Sequence, residues 1–321
     1  MNFLEKFLKC DLGILPYNQF STDDNSINYI NWWKSRGAED IWFTEFIRKN
    51  VKCEKKIFFY SVFGSPLYIK KRSFFERNSI NIFYTGENVS ASGISRRFRR
   101  YSNHMLDVVD FSMGFEYIED RKYFRFPLWI TYLFPPDSTY NTVTEIINKI
   151  NTQKIDISDR VIECSNVSRH DKNGIRGIIC DSISEIVDIN YDGIWRNNSV
   201  LLREEYLDNK KKYLSHVKFN ICPENANESG YVTEKIFESL YSGAIPIYWG
   251  ANGHPEDDII NQDAFLYWDG SQGFNERLEL LSRNRKEYEE FATQRRFKEG
   301  AEDIIWNYFE ILKSKINLLV K

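Results

Sequence analysis

Residues 218–251, KFNICPENANESGYVTEKIFESLYSGAIPIYWGA, contain two apolar segments separated by a polar loop and an amphipathic segment. Residues 218–222 and 244–248 have the apolar, β-favouring character of buried strands. Residues 234–242 carry large apolar side chains at i, i+1, i+4 and i+5, the pattern of a helix that covers a sheet. The strand–helix–strand order predicts a right-handed parallel crossover, and such sheets bind ligands beyond the carboxyl ends of their strands. Residues 223–232 lie there, so we expect this loop to bind a ligand.

The residues around the loop indicate an anionic ligand. Gly230 allows a positive φ or a close approach of the backbone, and the helix that follows offers N–H groups to an anion. Lys235 lies in the first helical turn, where a cation is unfavourable unless an anion compensates it. Glu234 either stabilises this helix end or accepts hydrogen bonds from a ribose, and Asn225 either forms a turn or contacts ribose or base. These residues alone leave both alternatives open.

The segments PENANESGYVTEKI, residues 223–236, and IPIYWG, residues 245–250, resemble the donor-binding signature of the α-1,3/α-1,4-fucosyltransferase family. One departure is Pro223, which stands where the family usually has an aromatic residue. The resemblance implies an α/β protein of GT-B architecture, with two facing Rossmann-like domains and a cleft between them. It also implies GDP-fucose as the donor, with Asn225 and Glu234 at the ribose, Lys235 on the diphosphate and Tyr231 close by.

Further segments extend the resemblance towards the amino terminus. IFYTGEN, residues 82–88, is similar to the family's catalytic-base segment and places that role on Glu87, whereas position alone also allows a solvated loop carboxylate. DFSMGF, residues 110–115, and YFRFPL, residues 123–128, are similar to family segments that follow. Residues 89–107 between these blocks are an apparent insertion in the region where the acceptor is expected.

Two more matches assign the remaining site residues. SNVSRHDKNGIRGIICDSIS, residues 165–184, resembles the segment that carries a diphosphate-binding arginine and places that role on Arg176. Without this match, an arginine near a helix start is expected to point into solvent unless it meets an anion. Asn31, Trp32 and Trp33 are similar to an Asn-Trp-Trp of bacterial members, so we assign Trp32 and Trp33 to the acceptor.

The expected chemistry uses no obligatory cofactor. The sequence has no Asp-x-Asp pair and its four histidines show no ligand spacing, so we assign no metal site, while stimulation by a divalent metal stays open. The diphosphate charge then falls to Lys235, Arg176 and helix N-termini. The expected partners are GDP-fucose and an oligosaccharide acceptor such as N-acetyllactosamine.

Composition is that of a two-domain globular protein. The chain has 321 residues, of which 42% are hydrophobic and 28% charged. A net charge of −3 argues against nucleic acid as a partner. The arginine cluster RRFRR, residues 96–100, is interpreted as a solvated helix face, with peripheral contact to an anionic membrane or acceptor as the alternative. The five cysteines form no CxxC pair, so a disulfide framework is not expected.

The organisation expected from these patterns has three parts. Residues 1–155 form an acceptor-binding Rossmann-like domain, residues 156–300 the GDP-fucose-binding domain, and residues 301–321 a helix that packs back on the first domain. Residues 274–291 are predicted to form one amphipathic helix. The charged amino-terminal segment and the lack of a long apolar run predict a cytoplasmic bacterial protein, with the inner face of the membrane as a further location.

The function expected from the sequence is inverting transfer of L-fucose from GDP-fucose to a hydroxyl of N-acetylglucosamine or glucose in a β-galactoside glycan. The product carries an α-1,3 or α-1,4 linkage of Lewis type. Glu87 is the expected general base. Two alternatives stay open: a GT-B transferase that uses another nucleotide sugar, and a non-catalytic carbohydrate-binding protein.

Overall fold

The computed structural model describes residues 15–90 and 95–320. Contacts divide the chain into two compact units. Unit 1 comprises residues up to 131, residues 135–138 and residues from 307 onwards; unit 2 comprises residues 132–134 and 139–306. The predicted domain boundary between residues 155 and 156 lies within unit 2 as the contacts divide the chain.

Unit 1 is built on a six-stranded sheet whose strands lie in the order of the chain. The first pair is antiparallel and every later pair is parallel. The strands are β1 (Gln19–Ser21), β2 (Ile27–Ile30), β3 (Ile57–Tyr60), β4 (Ile80–Tyr84), β5 (Phe111–Gly114) and β6 (Tyr123–Arg125). The helices are α1 (Trp42–Asn50), α2 (Pro66–Phe75) and α3 (Trp129–Leu133), the last of which crosses into unit 2.

The second strand is shorter than residues 27–33, where the apolar pattern predicts it. It ends at Ile30 because Asn31 has a φ of +56°, which breaks the extended backbone. The side chains of β2, β3 and β4 are all buried, as expected for parallel strands covered on both faces.

The apparent insertion at residues 89–107 includes residues 91–94, which lie outside the described part. The rest contains one 3-10 turn at Phe98–Tyr101 and no longer helix or strand. The arginines at 96, 97, 99 and 100 are exposed, as predicted for a solvated face. Tyr101 is buried and joins the core beneath α2.

Unit 2 contains a five-stranded parallel sheet in the order β11-β10-β9-β7-β8. Its strands are β7 (Ile162–Ser165), β8 (Ile189–Asn190), β9 (Val217–Ile221), β10 (Ile245–Tyr248) and β11 (Leu266–Tyr267). The chain adds β8 on one side of β7 and β9 to β11 on the other. The order therefore reverses between β7 and β9, and open α/β sheets bind ligands at such a point.

The helices of unit 2 are α4 (Tyr140–Asn151), α5 (Ile175–Ile183), α6 (Leu201–Glu204), α7 (Lys210–Leu214), α8 (Glu234–Ser242), α9 (Gln272–Arg283) and α10 (Arg285–Ala292). The prediction of a helix at residues 234–242 is confirmed, and Gly243 ends α8 with a φ of +75°. The prediction of a single helix at residues 274–291 is wrong. Asn284 separates α9 from α10, because its side chain accepts hydrogen bonds from the N–H groups of Lys286 and Glu287 and caps the second helix.

The last helix, α11 (Ala301–Val320), begins in unit 2 and continues in unit 1 from residue 307. In unit 1 the ring of Phe309 lies 5.8 Å from that of Trp42 in α1. The amide of Asn317 donates to the carbonyl of Asn50 at 3.3 Å. The carboxyl-terminal part of α11 therefore covers α1.

Within residues 15–90 and 95–320, no helix is both long and apolar enough to cross a bilayer. The amino-terminal segment used to predict the location ends at residue 15, and residues 1–14 lie outside the described part, as does Cys10. Cys53, Cys164, Cys180 and Cys222 are free thiols. The last three are buried in unit 2.

Candidate active site

A cavity of about 240 Å³ lies at the point where the strand order of unit 2 reverses. One wall is residues 167–170, which follow β7, and another is the segment from Asn220 to Asn225, which ends β9. Arg176 of α5 and Glu234 and Lys235 of α8 complete the cavity together with Lys210. Because the first turns of two helices and two strand ends meet here, the cavity can receive a ligand with several anionic and hydroxyl groups.

Glu224 lies behind the cavity and is wholly buried. Its carboxylate accepts hydrogen bonds from the backbone N–H of Thr233 at 2.7 Å and from the Thr233 hydroxyl at 2.9 Å. The ammonium of Lys235 pairs with the same carboxylate at 2.7 Å. A buried carboxylate is stable only with such partners, so Glu224 fixes both the N-cap residue of α8 and the position of Lys235.

Two glycines make this arrangement possible. Gly250 follows β10 with a φ of +143°, and a Cβ there would lie 2.8 Å from the side chain of Glu224. Any other residue would therefore displace the buried carboxylate. Gly230 has a φ of +73°, so the positive-φ explanation for this glycine is confirmed.

Lys235 remains charged in this environment. Burial by itself lowers the pKa of Lys235, but the carboxylates of Glu224 and Glu234 outweigh this effect and hold the pKa above its ordinary value. The side chain is 19% exposed, so its ammonium faces the cavity while it is anchored from behind. An ammonium has three donors and can bind a phosphate oxygen without leaving Glu224.

Arg176 is 5% exposed and also faces the cavity. Its Nη2 donates to Oδ1 of Asn225 at 2.8 Å, whereas the buried Nη1 has no hydrogen-bond partner within the described residues. Burial is the main reason that the pKa of Arg176 lies below its ordinary value. A buried donor without a partner is unfavourable, so an acceptor atom of a ligand at Nη1 would stabilise the site.

The loop before α5 holds Arg176 in place. The carboxylate of Asp171 accepts from the backbone N–H groups of Arg176 at 3.2 Å and Gly177 at 2.8 Å. The amide of Asn173 donates to the carbonyl of Asn225 at 2.9 Å. The loops that follow β7 and β9 are therefore joined directly at the cavity.

The remaining charged residues give the cavity a positive character. The ammonium of Lys210 pairs with Glu238 at 2.6 Å. Arg169 and Arg176 have no carboxylate within ion-pair distance in the part of unit 2 that the structure describes. Burial, followed by the charges of Lys172 and Arg176, lowers the pKa of His170, so this ring is neutral at pH 7.

The structure thus brings together four of the five residues assigned to the donor from sequence: Arg176, Asn225, Glu234 and Lys235 line one cavity. The fifth, Tyr231, is 2% exposed and does not line it. Sequence reasoning assigned no role to Glu224, Arg169, His170 or Lys210. Glu224 belongs to the quoted signature. Arg169 and His170 follow β7, and their position after a strand could have indicated a site. No local signal indicated Lys210.

The residues assigned to the base and the acceptor lie in unit 1. Glu87 follows the carboxyl end of β4 and is half-buried. Its backbone N–H donates to the hydroxyl of Thr85 at 3.0 Å, which fixes the turn after the strand. The indole N–H of Trp33 donates to Oε1 of Glu87 at 3.3 Å. Glu87 is therefore oriented by a neighbouring aromatic side chain that was also assigned from sequence.

Trp32 and Trp33 occupy different environments. Trp32 is 4% exposed and packs among aromatic rings, of which Tyr29 is 4.9 Å and Tyr84 is 5.9 Å away. Trp33 is half-buried and contacts Glu87. Of the two, Trp33 has the surface on which a sugar ring could stack.

No group of three or more His, Cys, Asp and Glu side chains suited to a metal ion occurs among the described residues. The cations on the cavity wall are lysine and arginine side chains. The donor set on this wall suits an anionic ligand directly.

Family models match both halves of the chain. Residues 159–314 match the carboxyl-terminal model of glycosyltransferase family 10 (fucosyltransferase). Residues 27–132 match the N-terminal domain of the α-(1,3)-fucosyltransferase FucT. The chain belongs to this fucosyltransferase family. The resemblance carried by residues 223–250 is thereby confirmed.

The chain is similar to the α-(1,3)-fucosyltransferase FucT of Helicobacter pylori, with 26% identity over 245 residues. That alignment covers 68% of this chain and 47% of the relative, so this fucosyltransferase-family chain matches about half the length of that relative. A crystal structure of an α1,3-fucosyltransferase is similar over 89% of both chains, with a TM-score of 0.56 and 19% identity. Another, with GDP-fucose, is similar over 80% of this chain and 77% of that one, with a TM-score of 0.52 and 20% identity. These likenesses confirm the predicted GT-B class of α/β fold.

Proposed function

We propose that this family member transfers L-fucose from GDP-fucose to a hydroxyl of N-acetylglucosamine or glucose in a β-galactoside glycan. The product would carry an α-1,3 or α-1,4 linkage of Lewis type. The observation that carries the proposal is the convergence of Arg176, Asn225, Glu234 and Lys235 on one cavity. GDP-fucose as the donor is supported by the family and by the similar crystal structure that contains it.

The diphosphate of the donor is assigned to the guanidinium of Arg176 and the ammonium of Lys235. The unpartnered Nη1 of Arg176 and the anchored ammonium of Lys235 each gain an anionic acceptor when a diphosphate enters. Glu234 then accepts hydrogen bonds from ribose hydroxyls, and Asn225 keeps its contact with Arg176. As the sugar–phosphate bond breaks, these cations stabilise the charge that develops on GDP.

Glu87 is assigned as the general base. Its carboxylate takes the proton of the acceptor hydroxyl while that oxygen forms a bond to the anomeric carbon of fucose and the bond from that carbon to GDP breaks. Attack opposite to the leaving group inverts the anomeric centre through an oxocarbenium-like state. The N–H of Trp33 orients the Glu87 carboxylate before the reaction.

The test is incubation of the purified protein with GDP-fucose and a panel of acceptors that includes N-acetyllactosamine and its type 1 isomer. GDP release, product mass and the linkage determined by NMR are measured. We expect acceptor-dependent GDP release and one fucose added per accepting unit. GDP-mannose and UDP-galactose serve as competing donors, and preferential use of either would contradict the donor assignment. Tight GDP binding without transfer to any acceptor would favour a carbohydrate-binding protein instead.

A further inference from the structure

Helix α2 presents large apolar side chains to solvent. Tyr68, Ile69 and Ser73 on its inner face are buried in unit 1. On the outer face Leu67 is 43% and Phe74 67% exposed, and Phe75 beside them is 38% exposed. A surface helix of a globular protein ordinarily shows polar side chains on this face. Exposed apolar residues that cluster in this way indicate an interaction site.

The same region is basic. Residues 65–77 and 95–110 contain eight lysines and arginines but three acidic residues, whereas the whole chain has a net charge of −3. Glu76 pairs with Arg72 at 2.9 Å and Asp107 pairs with Lys70 at 3.1 Å. Within residues 15–90 and 95–320, no carboxylate lies within ion-pair distance of these remaining basic residues: Lys71, Arg77, Arg96, Arg97 and Arg100.

The two basic segments adjoin along the length of α2. The hydroxyl of Tyr101 donates to the carbonyl of Gly64, just before the helix, at 3.1 Å. The hydroxyl of Ser73 in the last turn donates to the carbonyl of Val108 at 3.0 Å. The exposed arginines of residues 96–100 therefore lie beside the amino-terminal end of the helix. We define the α2 surface as Leu67, Lys70, Lys71, Phe74, Phe75, Arg77, Arg96, Arg97, Arg99 and Arg100.

We propose that the α2 surface docks unit 1 on an anionic lipid bilayer. Leu67, Phe74 and Phe75 share the outer side of α2 with Lys70 and Lys71, so apolar and basic side chains occur on the same surface. Apolar side chains can enter the lipid while basic ones contact anionic headgroups. In that position Phe74, Phe75 and Leu67 enter the boundary of the acyl chains, and the basic side chains lie at the level of the lipid phosphates.

The position of α2 relative to the sheet suggests what docking would do for the reaction. This step rests on the proposed transferase activity. The helix starts where β3 ends, and Glu87 follows the end of the neighbouring parallel strand β4. The amino-terminal end of α2 therefore lies at the same edge of the sheet as Glu87. Docking through this surface would hold the base of unit 1 near acceptor glycans that are attached to lipid.

Sedimentation with vesicles tests the docking without any need for activity. The full chain is mixed with vesicles of phosphatidylcholine alone or with added phosphatidylglycerol. We expect binding to the anionic vesicles that weakens as salt increases. Phe74→Ser should weaken it about tenfold, because one large apolar contact is lost. The double variant Arg96→Gln/Arg100→Gln should also bind the anionic vesicles roughly tenfold more weakly than the parent.

Matched controls separate this surface from others. Val161→Ser removes an apolar side chain that is 75% exposed on unit 2, and it should leave vesicle binding unchanged. Leu318→Ser removes one that is 64% exposed on α11 and should also leave vesicle binding unchanged. Equal binding to neutral and anionic vesicles, unchanged binding of Phe74→Ser, or a loss in Leu318→Ser instead would overturn the proposal. Absent binding of the parent would overturn it as well, whereas failed fucose transfer would not.

Discussion

Glu224 in unit 2 and Glu87 in unit 1 are both carboxylates that follow parallel strands, but their surroundings differ. Glu224 is wholly buried. It accepts hydrogen bonds from Thr233 and forms an ion pair with Lys235. Glu87 is half-buried and accepts a hydrogen bond from the indole N–H of Trp33. A wholly buried carboxylate cannot reach a substrate, whereas a half-buried one can contact an acceptor hydroxyl. Glu224 therefore positions Lys235 and the start of α8, whereas Glu87 has the exposure that the proposed proton transfer requires.

The largest effect is expected from the carboxylate assigned to proton transfer. Glu87→Gln should lower fucose transfer about 10³-fold, because an amide cannot accept the hydroxyl proton. GDP binding should be unchanged, since the donor cavity belongs to unit 2. Turnover is measured by GDP release and binding by calorimetry. Trp33→Phe is the matched control, which keeps an aromatic ring but removes the N–H, and it should cost much less. Turnover of Glu87→Gln near the parent level would remove the base assignment.

The buried carboxylate should matter most for stability. Glu224→Gln leaves the charge of Lys235 without its partner and should lower the free energy of unfolding by about 3 kcal/mol. Chemical denaturation followed by tryptophan fluorescence measures this change. The double variant Glu224→Gln/Lys235→Met removes both charges and should recover much of the loss. If the single variant is as stable as the parent, the ion pair does not anchor α8.

Lys235 belongs to the buried ion pair and also lines the cavity. Lys235→Ala should weaken GDP binding roughly tenfold more than GMP binding, because GMP lacks the second phosphate. Calorimetry with both nucleotides gives the ratio, and denaturation shows whether the variant is folded. Lys212→Ala, which removes an exposed cation of the same unit away from the cavity, should change neither affinity. Equal losses for GDP and GMP would contradict the diphosphate contact.

The smallest effect concerns His170. Its pKa lies below the ordinary 6.5, so the stability that the neutral ring contributes is present above pH 6.5 and decreases as pH falls. An anion in the cavity favours the protonated ring, so binding takes up a proton and affinity rises with acidity. Between pH 8 and 6, the ratio of GDP affinities of parent and His170→Gln should therefore increase roughly twofold. The titration of GDP itself cancels in this ratio. A constant ratio would exclude His170 from the anion site.

The same two regions show what sequence reasoning can reach. Helix α8 was predicted with its observed bounds because its apolar spacing and the glycine after it are local signals. The four cavity residues were assigned because they belong to long motifs. The pairing of Glu224 with Lys235 was not foreseen, since a glutamate in a loop has the same local pattern whether it is buried or solvated. Trp32 and Trp33 are adjacent and alike in sequence, and tertiary packing alone buries the first more deeply than the second.

The division of α11 between the units has a consequence for biosynthesis. Residues from 307 onwards are translated after the whole of unit 2, yet they pack in unit 1, where Tyr308 accepts a hydrogen bond from Arg125 at 2.6 Å. While the nascent chain leaves the ribosome, the aromatic face of α1 at Trp42 and Phe46 therefore lacks its cover. Unit 2 has all its residues by position 306. The unit made first is thus completed last, the reverse of the usual amino-terminal-first order of vectorial folding.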